Sequence, residues 1–293
     1  MNDLTISVAA AEFGRDMEQG YSTIAALLEE ARNRGSRLLV LPEACLGGYL
    51  PSLGGSGESE DARRRRLESL PPALELDGPE LKRIIAMAGE TVITLGFCEK
   101  DGDTRYNAAV TLDGDGILGS YRKVHQPLGE NLCYAAGESY EAFDTPVGRM
   151  GMQICYDKGF PEAARELALD GAQIITSISA WPTARTATVD NMEDDRWKQR
   201  FDIYDRARAL ENQVIWVAAN QAGTFGSLRF VCSAKIVGPG GEILAGTGVE
   251  PGLATATVDV DGLIAAARGG GMYNLRDRRP SAYRAITKEP VHA

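Results

Sequence analysis

Residues 4–13, Leu4-Thr5-Ile6-Ser7-Val8-Ala9-Ala10-Ala11-Glu12-Phe13, form an apolar run of strand length. Tyr21, Ile24, Ala25 and Leu28 follow at the i, i+3, i+4, i+7 spacing that gives a helix one apolar face. Arg37 to Pro42 is then a second apolar run. A strand, a helix and a strand in this order predict a right-handed β-α-β unit with two parallel strands, close neighbours in one sheet. The pattern continues outward with Leu81, Ile84, Ile85 and Ala88 on a helix and a strand over Thr91 to Cys98. A hairpin joins Ala108 to Leu112 with Ile117 to Val124 through Asp113-Gly114-Asp115-Gly116, because Asp-Gly supplies the positive φ of a tight turn.

The second half echoes the first. A strand over Arg149 to Cys155 leads into a helix bearing Phe160, Ala163, Ala164 and Leu167, then a strand over Gln173 to Ser177. A helix lined by Trp197, Phe201, Tyr204 and Leu210 precedes a strand over Val214 to Ala218, and a second hairpin turns at Gly238-Pro239-Gly240-Gly241. No Pro/Gly/Ser linker separates the halves, so the expectation is one α/β unit with two pseudo-related halves. Gly47 to Gly57 and Gly269-Gly270-Gly271 read as loops outside the core, and the Arg63 to Arg66 run as a solvated or interface-facing helix surface.

Composition narrows the chemistry. The 293 residues carry 31 Lys plus Arg against 41 Asp plus Glu, a net charge of −10, which argues against nucleic acid as a partner. His125 and His292 are the two histidines, too few for a His-rich zinc site and poor material for a Ser-His-Asp triad. The N-terminus has no signal-peptide pattern and no stretch approaches the length of a membrane span. Cys45, Cys98, Cys133, Cys155 and Cys232 are odd in number and widely spaced, as expected of free thiols in a reducing compartment, here the cytoplasm.

Three residues at strand ends could carry chemistry. Cys155 closes the strand Met150 to Ile154 just before a helix that opens near Pro161. Glu43 follows Leu38 to Leu41, and Lys123 closes the strand Ile117 to Val124. Taken singly, each also reads as an inert buried thiol or a solvated loop charge. In open α/β sheets, however, ligands bind beyond the carboxyl ends of strands, and these three become a site if the fold gathers them in one cleft.

Leu41-Pro42-Glu43, Tyr121-Arg122-Lys123-Val124-His125 and Ile154-Cys155-Tyr156-Asp157 together resemble the catalytic motifs of the nitrilase superfamily of carbon-nitrogen hydrolases. The resemblance runs from Leu4 to about Asp261. It implies a four-layer α-β-β-α sandwich, usually packed into homodimers, with a hydrolase domain over residues 1–268 and a tail over 269–293. It also implies Glu43, Lys123 and Cys155 as catalytic residues and no cofactor or metal. A second family glutamate corresponds best to Glu130, with Tyr134 four and Gly137 seven residues later; Glu138 competes for the role.

The chemistry suits these residue types. A thiol with a pKa of about 8.5 is only a few per cent thiolate at neutral pH and needs a base, which Glu43 can supply. An ammonium about 4 Å from a thiolate is worth on the order of 4 kcal/mol at a dielectric of about 20, and a two-unit pKa shift needs about 2.7 kcal/mol. Lys123 can therefore poise Cys155 or, with the Tyr156 backbone N–H, stabilise an oxyanion. Tyr156-Asp157 after the cysteine, where true nitrilases commonly carry Trp-Glu, points to the amidase and N-carbamoyl hydrolase branches. The expected substrate is a small amide or N-carbamoyl compound, with nitrile hydrolysis the alternative and a non-catalytic binding protein a distant third. Tyr49, Tyr156 and Trp181 are the expected pocket walls, and Lys158 the expected partner of a substrate carboxylate.

Overall fold

Alternation along the first strand sets the layers. In the computed structural model, which describes residues 3–54, 58–186, 188–283 and 286, the strand β1 (Asp3–Ala11) points Leu4, Ile6, Val8 and Ala10 into one apolar core, while Ala9 and Ala11 enter a second. His292 and Gly55 to Gly57 lie outside the described residues. The helix α1 (Met17–Asn33) is capped by Asp16, which accepts from the Gln19 backbone N–H, and buries Tyr21, Ile24, Leu28 and Ala31 on the second core. The strand β2 (Leu38–Val40) then pairs parallel with β1, Ile6 opposite Leu38, as the β-α-β reading predicts.

The chain continues through α2 (Glu60–Glu68), α3 (Pro79–Ala88), β3 (Val92–Asp101), β4 (Thr104–Asp113) and β5 (Gly116–Arg122). The second half comprises β6 (Phe143–Thr145), β7 (Gly148–Ile154), α4 (Pro161–Leu169), β8 (Ile174–Ser179), α5 (Arg196–Asn212) and β9 (Ile215–Gln221). It is followed by β10 (Thr224–Phe225), β11 (Leu228–Arg229), β12 (Lys235–Val237), β13 (Ile243–Gly246), β14 (Gly252–Asp259) and α6 (Val260–Gly269).

Strand pairing gives two arrays of like design. One runs β14-β1-β2-β3-β4-β5 and the other β13-β12-β9-β8-β7-β6, each with three parallel strands flanked by antiparallel ones. They join where the ends of β1 and β9 pair, Ala10 with Asn220 and Ala11 with Gln221. The chain visits β1, β2 and β3 outward from this seam and β7, β8 and β9 inward to it. The arrays also pack face to face: Val8, Val40 and Ala109 share a core with Met150, Met152 and Ile154, and Thr111 Oγ1 lies 3.2 Å from Met152 Sδ. With α1 and α3 outside one array and α4 and α5 outside the other, the result is an α-β-β-α sandwich.

Three local expectations need correction. Arg63, Arg64 and Arg65 are exposed on α2, but Arg66 is 1% exposed and pairs with Glu58 at 3.0 Å. The described part of the Gly47–Gly57 loop is irregular yet not superficial, since it buries Tyr49, Leu50 and Leu53. On α5, Phe201 is buried but Leu210 is half exposed; the inward face consists of Lys198, Phe201, Asp205, Arg208 and Asn212. Those positions keep the helical spacing, but polar side chains occupy most of them.

Candidate active site

The loop after β2 brings Glu43 against β3. The Leu41 N–H donates to Thr94 O at 2.8 Å and the Gly96 N–H to Pro42 O at 3.2 Å, so the β2-β3 pairing continues past the strand end. A Cβ at residue 96 would stand 2.5 Å from Ala44 N, which only glycine avoids. Glu43 is fully buried. Its Oε1 accepts from Lys123 Nζ at 2.8 Å and Asn107 Nδ2 at 2.6 Å, and its Oε2 from the Ala180 N–H at 2.5 Å.

Lys123 leaves the end of β5 tied to β4, its N–H donating to Asn107 O at 2.8 Å. Its ammonium lies between two carboxylates, 2.8 Å from Glu43 Oε1 and 2.8 Å from Glu130 Oε2. Glu130 sits in a short 3-10 turn over Leu128–Leu132 and also accepts from Tyr49 OH at 3.0 Å and Asn107 Nδ2 at 2.7 Å. Glu138, the competing glutamate, is exposed and borders a different cavity, with Arg122. Proximity to Lys123 therefore distinguishes Glu130 from Glu138.

Cys155 directly follows β7 at φ 53°, in the left-handed region that non-glycine residues rarely enter. The next residues form a 3-10 turn over Cys155–Gly159, after which Pro161 opens α4. The thiol is nearly inaccessible, 4% exposed, yet it contributes to the wall of a cavity of about 390 Å³. Burial pushes its pKa well above that of an ordinary thiol, and the Glu43 carboxylate adds to the rise; Lys123 opposes it. Burial also disfavours the Lys123 ammonium, but Glu130 and Glu43 outweigh that cost and hold its pKa above the usual lysine range. Burial raises the Glu130 carboxyl, against the pull of Lys123. The resting arrangement is thus a neutral thiol beside a charged lysine.

Of the expected pocket residues, Tyr49, Tyr156 and Trp181 line this cavity. Trp181 is held from two sides, its N–H donating to Asn220 Oδ1 at 2.8 Å and its Nε1 to Trp197 O at 3.0 Å. Lys158 is elsewhere. It is fully buried between the sheet and α5, 2.6 Å from Asp205 Oδ1 and 3.5 Å above the Phe201 ring, so the expected contact with a substrate carboxylate has no geometric basis in this arrangement.

Two contributors to this arrangement escape a reading of the sequence. Asn107 bridges both glutamates, but nothing in its local pattern distinguishes it from other strand residues. Asp157 ties the cysteine turn to the lysine strand: its carboxylate accepts from the Ile154 N–H at 3.0 Å, the His125 N–H at 2.9 Å, Tyr121 OH at 2.7 Å and Tyr140 OH at 3.0 Å. Its place beside Cys155 in the motif was the available signal. His125 serves this frame, stacking on Phe160 with ring centroids 3.6 Å apart.

Comparison with known proteins gives the family and the fold. Residues 6–268 match the carbon-nitrogen hydrolase family. The chain is similar to a nitrilase from Pyrococcus abyssi, 30% identical with 91% of this chain and 93% of that protein covered. It is likewise similar to an N-carbamoylputrescine amidase from Solanum tuberosum, 29% identical over 96% and 94% of the respective chains. Among solved structures, a mutant amidase from Nesterenkonia sp., carrying an acetamide moiety covalently added at its active-site cysteine, superposes with a TM-score of 0.74. It is 24% identical and the match covers 96% of this chain and 95% of that one.

Proposed function

The chain belongs to the carbon-nitrogen hydrolase family, and from that premise we propose that it hydrolyses a small amide or N-carbamoyl compound through a covalent intermediate on Cys155. The observation that carries this reading is the buried Glu43–Lys123–Glu130 cluster, whose charges act on a thiol at the cavity wall.

As Cys155 Sγ bonds to the carbonyl carbon, its proton passes to Glu43 and the carbonyl π pair moves onto oxygen. The Lys123 ammonium and the Tyr156 N–H hold that oxyanion. Its collapse breaks the C–N bond, and the leaving nitrogen takes the proton from Glu43, departing as ammonia or an amine. Water then attacks the carbonyl carbon of the thioester left by an amide, or of the thiocarbamate left by an N-carbamoyl compound, while Glu43 accepts its proton. The second collapse breaks the C–S bond, and the proton returns to sulfur. Glu130 and Asn107 keep Lys123 and Glu43 in register.

The experiment is ammonia release from a panel of amides, N-carbamoyl compounds and nitriles by the wild type and by Cys155→Ala. Turnover lost in Cys155→Ala with the fold preserved supports the mechanism, and retained turnover overturns it. A second reading, hydrolysis of a nitrile through a thioimidate, draws support from the similarity to the Pyrococcus protein; turnover of nitriles alone would favour it. Five free, buried cysteines support a reducing compartment such as the cytoplasm. No helix among the described residues is long and apolar enough to cross a membrane. The family resemblance supports a homodimer, which sedimentation would test.

A further inference from the structure

The helix α5 presents Trp197, Arg200 and Tyr204 to the cavity at the i, i+3, i+7 spacing, while its other face enters the core. Arg200 is the only cation among the described lining residues, and none of them is a carboxylate. The other basic side chains of α5 are all engaged. Arg196 donates to Thr186 Oγ1, Lys198 pairs with Asp202 at 2.9 Å, Arg206 donates to Gly241 O at 2.8 Å and Arg208 pairs with Glu211 at 2.8 Å. Arg200 has no hydrogen bond or ion pair with the described residues and is exposed to the cavity. The two glutamates behind the thiol are already committed to Lys123, so a cationic substrate tail would meet an arginine and no free acid.

We infer that Arg200 selects a substrate bearing a carboxylate at the end remote from the scissile carbon, making the preferred substrate an N-carbamoyl or amide derivative of a small acid. This rests on the hydrolase reading above. It sets the chain apart in substrate charge from its similar N-carbamoylputrescine amidase, whose named substrate ends in an amine. The planar guanidinium offers a fork of donors that a carboxylate can accept in pairs, and the aromatic side chains around it pack against the intervening methylenes.

Three compounds with one ureido head and similar chains test the inference: N-carbamoyl-4-aminobutyrate, neutral butylurea and cationic N-carbamoylputrescine. For the wild type the expected order of kcat/KM is anion, neutral, cation, with the anion ahead of the neutral compound by roughly tenfold. Arg200→Gln is expected to bring the anion-to-neutral ratio close to one, and Arg200→Glu to turn the preference toward the amine. A wild type that prefers the amine, or an Arg200→Gln variant that keeps the anion preference, overturns the inference. Calorimetric titration of Cys155→Ala, with and without Arg200→Gln, against the same compounds reads the charge preference without chemistry. Absence of turnover would thus count against the hydrolase reading, while the binding order still decides the role of Arg200.

Discussion

Lys158 Nζ lies 2.6 Å from Asp205 Oδ1, and neither side chain has any exposed surface. Asp205 also accepts from Lys235 Nζ and Trp216 Nε1, each at 2.9 Å, so it is the counter-charge of Lys158 and, together with Asp202 at 2.9 Å, of Lys235. Asp205→Asn would leave the buried Lys158 ammonium without its carboxylate and Lys235 with Asp202 alone. It is expected to destabilise the protein by about 3–5 kcal/mol in urea titrations. Lys158→Met should cost less, because Asp205 keeps Lys235 and Trp216 as partners. Equal losses in the two variants would contradict this account.

The pH dependence of Cys155 alkylation follows from the sign of its shift. Burial and the Glu43 carboxylate raise the thiol pKa, so the rate of iodoacetamide labelling should still be climbing at pH values where an ordinary thiol has levelled off. Glu43→Gln removes a negative charge that disfavours the thiolate. The labelling midpoint should therefore move to lower pH, even as turnover falls by about 10²–10⁴. If labelling slowed together with turnover, the electrostatic role assigned to Glu43 would be wrong.

Gly96→Ala tests how the backbone positions Glu43. The new Cβ would stand 2.5 Å from Ala44 N and 2.7 Å from Glu43 Cα, so the glutamate loop must shift. A shift of about 1 Å at a reacting group can cost on the order of 10²-fold in rate. The expected result is a loss in kcat of that size with Cys155 still alkylated. An unchanged kcat would show that the loop yields without moving the carboxylate.

Asp157→Asn replaces a carboxylate that accepts from both the cysteine turn and the lysine strand with a group that has one acceptor oxygen. At least one buried donor loses its partner, at about 1–3 kcal/mol. Because Asp157 does not line the cavity, kcat should fall more than KM rises, as steady-state kinetics with any accepted amide would show.

Where side chains follow burial, the sequence is directly legible. The Leu4 to Phe13 run, the α1 stripe and the strand Arg37 to Pro42 appear in the structure as the parallel β1-β2 pair with its crossover helix, since apolar periodicity and core position coincide there. Elsewhere they diverge. The turn at Asp101-Gly102-Asp103 joins β3 and β4 into a hairpin that the sequence expectation lacks, although it carries the same Asp-Gly signal as the turn at Gly114. The helix α5 was recognisable as a helix, but its inward face was hidden because Lys198, Asp205 and Arg208 are buried through pairing rather than through apolarity.

By itself, the sequence determined the α/β class, the family and the three motifs that contain Glu43, Lys123 and Cys155, because local periodicity and residue order survive without coordinates. Only the tertiary structure decided that Glu130 rather than Glu138 meets Lys123, that Asn107 joins the two glutamates, and that Lys158 faces Asp205 while Arg200 faces the cavity. For the glutamates, Asn107 and Lys158 the physical reason is the same, since a polar group's role is set by its partner and these partners lie between 7 and 64 residues apart along the chain; Arg200 instead faces the cavity without a partner among the described residues.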